Sequence, residues 1–291
     1  WLNLPVIPPM MEFPMSRTAR ILLLSAAVAA TLSASLAACQ RKEDKAQAPA
    51  APAPAAAPAM SNTPVGYDSK TPYAAVKLTL PQAIKTTPAL HAALYADMVR
   101  DLKQFEEGAQ ADLSEAGGGP NPYEKTIAFA PGAETGKLVS LARTDFEFTG
   151  GAHPNTSFDA VIWDKTTNKR LGFADLFRPG ADLSVLDKAL CAAANAAKQA
   201  RSPGSETATL DGKMWTCPKA VSTPFVLTPG ATPGKAGGVT FLMGPYQIGP
   251  YSDGPYWIAL PQSALRALLN SAYADQFDGA PVKAGDVTPK N

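Results

Sequence analysis

The sequence predicts an α+β fold in which an antiparallel β-sheet is flanked by helices and divided between two coupled subdomains. Two observations predict it. Short alternating segments are grouped between residues 123 and 164, and amphipathic helical patterns lie before and after that group. Strands and helices that are grouped in this way are typical of α+β proteins. The gaps between these strands are too short for crossover helices, which favours antiparallel pairing.

The first elements of the domain are a strand over 73–80 and a helix over 87–107. The helix begins at Thr87-Pro88, because proline is well tolerated in the first turn. Its apolar residues recur at helical spacing and form one stripe, so this face should lie on the sheet. The stripe consists of Leu90, Leu94, Met98, Leu102 and Phe105.

The remaining elements follow in a regular order. Three strands are predicted over 123–130, 137–148 and 157–164, and a polar turn follows the last of them. An alanine-rich helix over 182–199 separates them from three shorter strands. The later elements are predicted as strands over 225–227, 239–243 and 256–260, a helix over 261–269 that begins at proline, and a disordered tail over 276–291.

The N-terminal residues have the pattern of an export signal. A basic segment over 16–20 precedes an apolar run over 21–36, too short for an ordinary membrane span. The run ends in Leu-Ala-Ala-Cys39, which resembles the lipobox of bacterial lipoproteins, where the cysteine is acylated. With Gln40 next, this resemblance implies a lipid anchor at Cys39 on the periplasmic face of the outer membrane. A plain signal peptide and an uncleaved anchor remain the alternatives.

The chain is therefore divided into five parts. Residues 1–39 are an upstream extension plus signal peptide, with translation starting at Met11 or Met15, and residues 40–70 are a flexible stalk rich in Ala and Pro. The first subdomain spans 71–178, the second spans 179–275, and the tail spans 276–291. Without residues 1–39 the chain has 24 basic and 24 acidic residues. This balance gives no electrostatic reason to expect nucleic acid as a partner.

The two cysteines of the second subdomain are expected to form a disulfide. Cys191 and Cys217 would lie in an oxidising compartment, where such pairs form and persist. Two free buried thiols are the alternative. Neither cysteine has a histidine nearby, so they make a poor zinc site.

The sequence has no recognisable catalytic constellation. It contains only two histidines, His91 and His153, and neither a Gly-x-Ser-x-Gly elbow nor a phosphate-binding loop. We therefore expect no enzyme activity, no cofactor and no metal, although a hydrolase that uses a pair of carboxylates remains an alternative.

Two segments have the composition of binding loops. The segment over 148–155 has paired glycines followed by His153 and proline, and the segment over 243–256 contains three tyrosines, three prolines and three glycines. Tyrosine gives a large contact area at little entropic cost, and proline stiffens the backbone. The alternatives are a plain hairpin loop for the first segment and a tyrosine-rich turn buried against the sheet for the second.

These segments also carry a resemblance. Gly-Gly-Ala-His-Pro-Asn over 150–155, with Phe-Ala-Asp-Leu-Phe over 173–177, resembles the first of two uncharacterised domains. Pro-Tyr-Gln-Ile-Gly-Pro-Tyr-Ser-Asp-Gly over 245–254, with Trp-Ile-Ala-Leu-Pro over 257–261, resembles the second. The pair occurs in the extracellular region of RsiV-type, lysozyme-sensing anti-sigma factors and ahead of the catalytic domain of PdaC-type peptidoglycan deacetylases. It would cover roughly residues 73–272.

The resemblance implies an α+β fold and a loop surface that recognises a lysozyme-like protein. Neither a sigma-binding segment nor the metal motif of the deacetylase accompanies it here, so those functions do not carry over. We expect a lipoprotein that binds a lysozyme-like muramidase, as an inhibitor or an immunity protein. A module that binds peptidoglycan itself is the alternative. The resemblance implies these partner-binding residues: Tyr246, Pro250, Tyr251, Asp253, Gly151 and His153.

Overall fold

A computed structural model describes residues 60–115, 117 and 121–290 of the chain. The predicted signal peptide, the acylation site at Cys39 and residues 40–59 of the predicted stalk lie outside the described residues. Within the part that is described, no helix is both long enough and apolar enough to cross a membrane. The α+β fold predicted from the sequence is confirmed, because two sheets are accompanied by a few helices.

The first sheet has six strands that lie in their sequence order. One neighbouring pair is parallel, contrary to the all-antiparallel expectation, because the long helix α1 (Pro88–Glu115) carries the chain back to the starting end of the sheet. The strands are β1 (Gly66–Lys70), β2 (Ala74–Thr79), β3 (Tyr123–Glu134), β4 (Leu138–Phe148), β5 (Asn155–Asp164) and β6 (Lys169–Leu171), with β2 and β3 forming the parallel pair.

Strand β1 lies inside the range 40–70 that was predicted to be a flexible stalk. It pairs with β2 through backbone hydrogen bonds over its whole length, from Gly66 opposite Thr79 to Lys70 opposite Ala75. Side-chain patterning does not reveal such an edge strand, because none of its five residues is buried and Tyr67 is its only large apolar side chain. The ordered domain therefore begins earlier than the sequence suggests.

The second sheet has four antiparallel strands in the order β10-β9-β8-β7. They are β7 (Phe225–Pro229), β8 (Ala236–Met243), β9 (Tyr256–Pro261) and β10 (Gly285–Asp286). Strand β10 lies in the range 276–291 that was predicted to be disordered, and Phe277 in that range is only 1% exposed. The prediction failed because the polar tail is fixed by partners that are distant in the chain, notably the side chain of Arg201.

The helix predicted over 261–269 is absent. Two separate 3₁₀ turns, Gln262–Ala264 and Arg266–Leu268, take its place. Leu265, which joins them, has a φ of −128°, and both Leu265 and Leu269 are buried in the core. Their burial on a chain that bends around the core overrides the helical spacing of the apolar residues.

The other helices are α2 (Phe173–Leu176), α3 (Ser184–Arg201) and α4 (Ser271–Ala274). Helix α1 packs on one face of the first sheet, and the second sheet packs on the opposite face. Helix α3 covers the outer face of the second sheet. Every residue of β8 is buried because both faces of this strand are covered, which explains why Thr240 is its only polar side chain.

The two sheets approach closely at Gly132. A Cβ atom at this position would collide with Ser140 Oγ and lie 3.0 Å from the carbonyl oxygen of Leu227, so only glycine fits. The hydroxyl of Ser140 in turn accepts a hydrogen bond from the backbone N–H of Leu227 at 3.1 Å. This contact fixes β4 against β7 and sets how the loops at the end of each sheet meet.

Candidate functional site

The two segments singled out in the sequence lie side by side. The loop between β4 and β5 contains Gly150 and Gly151 with φ values of 89° and 100°, which are readily accessible only to glycine. The loop between β8 and β9 contains Tyr246 with a φ of 68°, an uncommon conformation for an aromatic residue. Backbone strain of this kind is concentrated at functional sites.

Three side chains from these loops form one aromatic cluster, which we call the aromatic surface: His153, Tyr246 and Tyr251. The rings of His153 and Tyr251 are stacked, with centroids 4.1 Å apart and planes inclined by 23°. The ring of Tyr246 lies 6.2 Å from that of His153 and 5.5 Å from that of Tyr251. Tyr246 is 57% exposed, and His153 is exposed beside it.

Hydrogen bonds tie the two loops together. The hydroxyl of Tyr251 donates to the carbonyl oxygen of Pro154 at 3.0 Å. The same carbonyl lies 2.9 Å from His153 Nδ1, so Nδ1 carries a proton that it donates. In the neutral ring Nε2 is then an acceptor, and the hydroxyl of Tyr246 lies 3.4 Å from it. The aromatic surface is therefore pre-organised by contacts within the chain.

The other predicted site residues take different positions. Gly151 shapes the loop that presents His153, and Pro250 is exposed on the neighbouring loop. Asp253 has one carboxylate oxygen buried against Gly249, so its side chain packs inside the loop. We therefore assign Asp253 to the support of the loop, not to its contact face.

Helix α3 holds the tyrosine-bearing loop from behind. The side chain of Lys198 is 1% exposed, and its ammonium group donates to the carbonyl oxygens of Ile248 and Glu206 at 2.6 and 2.5 Å. One turn further, Arg201 donates to the carbonyl oxygens of Asp253 and Pro255. Neither role can be predicted from the residue pattern, because a cation in a helix is ordinarily a solvated residue.

A cleft of about 790 Å³ opens next to the aromatic surface. Its floor is the part of the first sheet that the second sheet leaves uncovered, where Thr144 pairs with Phe158 and Phe146 pairs with Thr156 across β4 and β5. Tyr251 and Trp257 form part of its walls, and residues 288–290 close one side. Both the cleft and the aromatic surface therefore include Tyr251.

The charged residues that line the cleft are Arg201 of α3 and two residues near the C-terminus of the chain, Asp286 and Lys290. The guanidinium of Arg201 binds both carboxylate oxygens of Asp286, at 2.7 and 2.8 Å, and stacks 4.0 Å above the ring of Tyr256. Thr288 accepts from Arg201 and from the backbone N–H of Trp257. Lys290 also lines the cleft, so the lining contains two basic residues and one acidic residue.

The remaining candidate groups have structural positions. Cys191 and Cys217 form a disulfide, as predicted, with Cα atoms 5.3 Å apart. His91 is fully buried, with Nε2 2.9 Å from the carbonyl oxygen of Pro64. Within the described ranges, no group of three His, Cys, Asp or Glu side chains is placed to hold a metal ion.

Comparison with known proteins gives structural neighbours but no family assignment. No family model matches the chain, and no curated protein matches it. The structure is similar to a DUF3298 family member from Bacteroides fragilis, with 18% identity, a TM-score of 0.43, and coverage of 70% of this chain and 87% of that one. It is also similar to a DUF3298 family protein from Pseudomonas aeruginosa, with 19% identity, a TM-score of 0.44, and coverage of 74% and 94%.

Proposed function

We propose that this chain is a cell-envelope lipoprotein whose domain binds a lysozyme-like muramidase through the aromatic surface, as an inhibitor or an immunity protein. The observation that supports the proposal is the convergence of the two resembling motifs: His153 from one loop stacks on Tyr251 from the other. The proposal includes a lipid anchor at Cys39, a periplasmic location at the outer membrane and the absence of enzyme activity.

The geometry suits recognition of a folded protein. Aromatic anchors that are exposed yet held in place dominate the binding energy of many interfaces. Tyr246 is exposed. Its loop is held in place by the neighbouring ring of Tyr251 and by the hydrogen bond from Lys198 to the carbonyl oxygen of Ile248. Little conformational entropy is then lost on binding, which favours affinity. Bound to a muramidase cleft, such a loop would exclude the glycan substrate.

The test is inhibition of muramidases by the purified full chain, measured as slower clearing of cell-wall suspensions. A panel of lysozyme-fold enzymes is used, including any encoded beside the gene. We expect inhibition of at least one, weakened by roughly tenfold or more in Tyr246→Ala. Met214→Ala is the matched control, because Met214 is 68% exposed but lies outside both loops.

Binding to purified sacculi is measured in parallel. Binding to sacculi without inhibition of any muramidase would overturn the proposal and favour a peptidoglycan-binding module. If Tyr246→Ala inhibits the muramidase as well as Met214→Ala does, another surface makes the contact.

A further inference from the structure

The cleft beside the aromatic surface has features that recognition of a protein surface does not require. It is concave, and its volume of about 790 Å³ falls within the ~300–1,000 Å³ typical of small-molecule sites. Its floor alternates aromatic rings with hydroxyl groups in the order imposed by the strand register. Phe146 lies opposite Thr156, and Thr144 lies opposite Phe158.

The orientation of these groups follows from the fold. Side chains at 142, 144 and 146 share one face of β4, and the second sheet covers only the end of that face around Ala142. Phe146 and Thr144 lie beyond it and remain partly exposed. A half-exposed aromatic on a concave sheet face, next to Trp257 and Tyr251, leaves an apolar surface open to a ligand.

Alternating rings and hydroxyls match the chemistry of a pyranose. The face of a sugar ring presents polarised C–H groups, which are attracted to the negative face of an aromatic ring. Its rim presents hydroxyls, which can exchange hydrogen bonds with Thr144 and Thr156. A purely apolar ligand would leave these threonine hydroxyls without partners.

The charges select among saccharides. Arg201 and Lys290 line the cleft opposite a single carboxylate, that of Asp286. Arg201 and Asp286 form an ion pair, so their charges offset each other. The remaining positive charge among the residues that line the cleft is that of Lys290. A negatively charged sugar complements the part of the cleft at Lys290 better than a neutral sugar does.

We propose that the cleft is a binding site for an acidic saccharide, with a pyranose ring on Phe146 and a carboxylate towards Lys290. This inference does not rest on muramidase binding at the aromatic surface. Tyr251 belongs to both the cleft and the aromatic surface. A saccharide bound in the cleft would therefore lie next to the loop that we propose contacts the muramidase.

The test is an NMR titration of the full chain with two matched disaccharides at millimolar concentration. One is N-acetylglucosaminyl-N-acetylmuramic acid, and the other is diacetylchitobiose, which lacks the lactyl carboxylate. We expect shifts at the amides of Thr144 and Thr156 and at the indole of Trp257, with tighter binding of the acidic disaccharide by a few-fold. Lys290→Gln should abolish that preference.

Variants separate this inference from the proposed function. Phe146→Ala should weaken saccharide binding by about tenfold or more and leave muramidase inhibition unchanged, whereas Tyr246→Ala should do the reverse. Phe146→Leu preserves apolar volume without an aromatic face, so it should lose saccharide binding even if the alanine variant is unstable. Thermal melts check that each variant folds.

Three outcomes would overturn the inference. The first is an absence of cleft shifts with either disaccharide, and the second is wild-type saccharide affinity in folded Phe146→Ala or Phe146→Leu. The third is that chemical shifts of the cleft residues change on addition of a peptide of residues 47–64 but not on addition of a saccharide. Pro-rich segments dock in aromatic grooves, so this result would assign the cleft to the Pro-rich segment of this chain. Failure of muramidase inhibition with intact saccharide binding would remove only the proposed function.

Discussion

The imidazole of His153 stacks on the phenol of Tyr251 with ring centroids 4.1 Å apart, although the two residues belong to loops of different sheets. The hydroxyl of Tyr251 also donates to the carbonyl oxygen of Pro154, the residue that follows His153. One tyrosine thus holds the neighbouring loop by its ring face and by its hydroxyl. This contact, more than the composition of either loop, defines the aromatic surface.

Tyr251→Ala should weaken muramidase inhibition by an order of magnitude or more, because it removes both contacts that hold His153 in place. Tyr251→Phe retains the stacking and removes only the hydrogen bond to Pro154, so its effect should be several-fold smaller. Inhibition constants of the two variants give the comparison. Full inhibition by a folded Tyr251→Ala protein would show that the stacked pair has no part in binding.

Cys39→Ala should leave the protein without lipid, because it removes the thiol that we propose is acylated. Detergent-phase partitioning of the exported protein is the measurement. Wild type should enter the detergent phase and the variant should remain in the aqueous phase. Equal partitioning of the two proteins would mean that something other than Cys39 anchors the chain.

Reduction of the bond between Cys191 and Cys217 should lower the melting temperature. The bond closes a loop with a sequence separation of 26 residues. In the chain-entropy description this loop gives about 3.5 kcal/mol, which corresponds to a fall in Tm of roughly 10 °C. Calorimetry with and without reductant measures the change. The double variant Cys191→Ser/Cys217→Ser is the control, and its Tm should not respond to reductant.

Lys198→Met should destabilise the domain by about 2 kcal/mol, because it leaves the carbonyl groups of Glu206 and of the buried Ile248 without their donor. It should also weaken muramidase inhibition several-fold, since the loop that bears Tyr246 loses one of its attachments to α3 and keeps only that of Arg201. Lys188→Met on the exposed face of the same helix is the matched control. If Lys198→Met unfolds at the same urea concentration as wild type, the two hydrogen bonds of Lys198 do not have the stabilising role assigned to them.

Tyr273→Phe should reduce stability at neutral pH by about 1 kcal/mol and reduce its acid sensitivity. Burial alone would raise the pKa of Asp164, but hydrogen bonds from Thr166, Tyr273 and Thr167 outweigh it and hold the pKa at about 2. A lowered pKa contributes stability that is complete above the usual pKa near 4 and is lost as the pH falls towards 2.

The difference between Tyr273→Phe and wild type should therefore be constant above about pH 5 and vanish near pH 2. Urea unfolding at pH 7, 4 and 2 measures it. Asp164→Asn provides the control, because it should lose this pH dependence altogether. A difference that persists unchanged to pH 2 would place the acid sensitivity in another group.

The sequence by itself determined the fold class, most element positions, the disulfide and the positions of the two loops that form the aromatic surface. Each of these depends on local signals: helical or alternating apolar spacing, glycine and proline at turns, and a pair of cysteines. The same signals failed over 261–269, where apolar spacing suggested a helix and burial of Leu265 and Leu269 imposed two turns. They also missed the polar strands β1 and β10, whose positions depend on their partners.

Only the tertiary structure decided how the loops meet and what supports them. The stacking of His153 on Tyr251, the reach of Lys198 to Ile248 and the bond from Arg201 to Asp286 join residues that are far apart in the chain. The cleft likewise exists because the second sheet covers only part of the first. These relations depend on how two sheets and a helix pack, and packing is set by shape and volume across the whole core, which no local pattern of residues encodes.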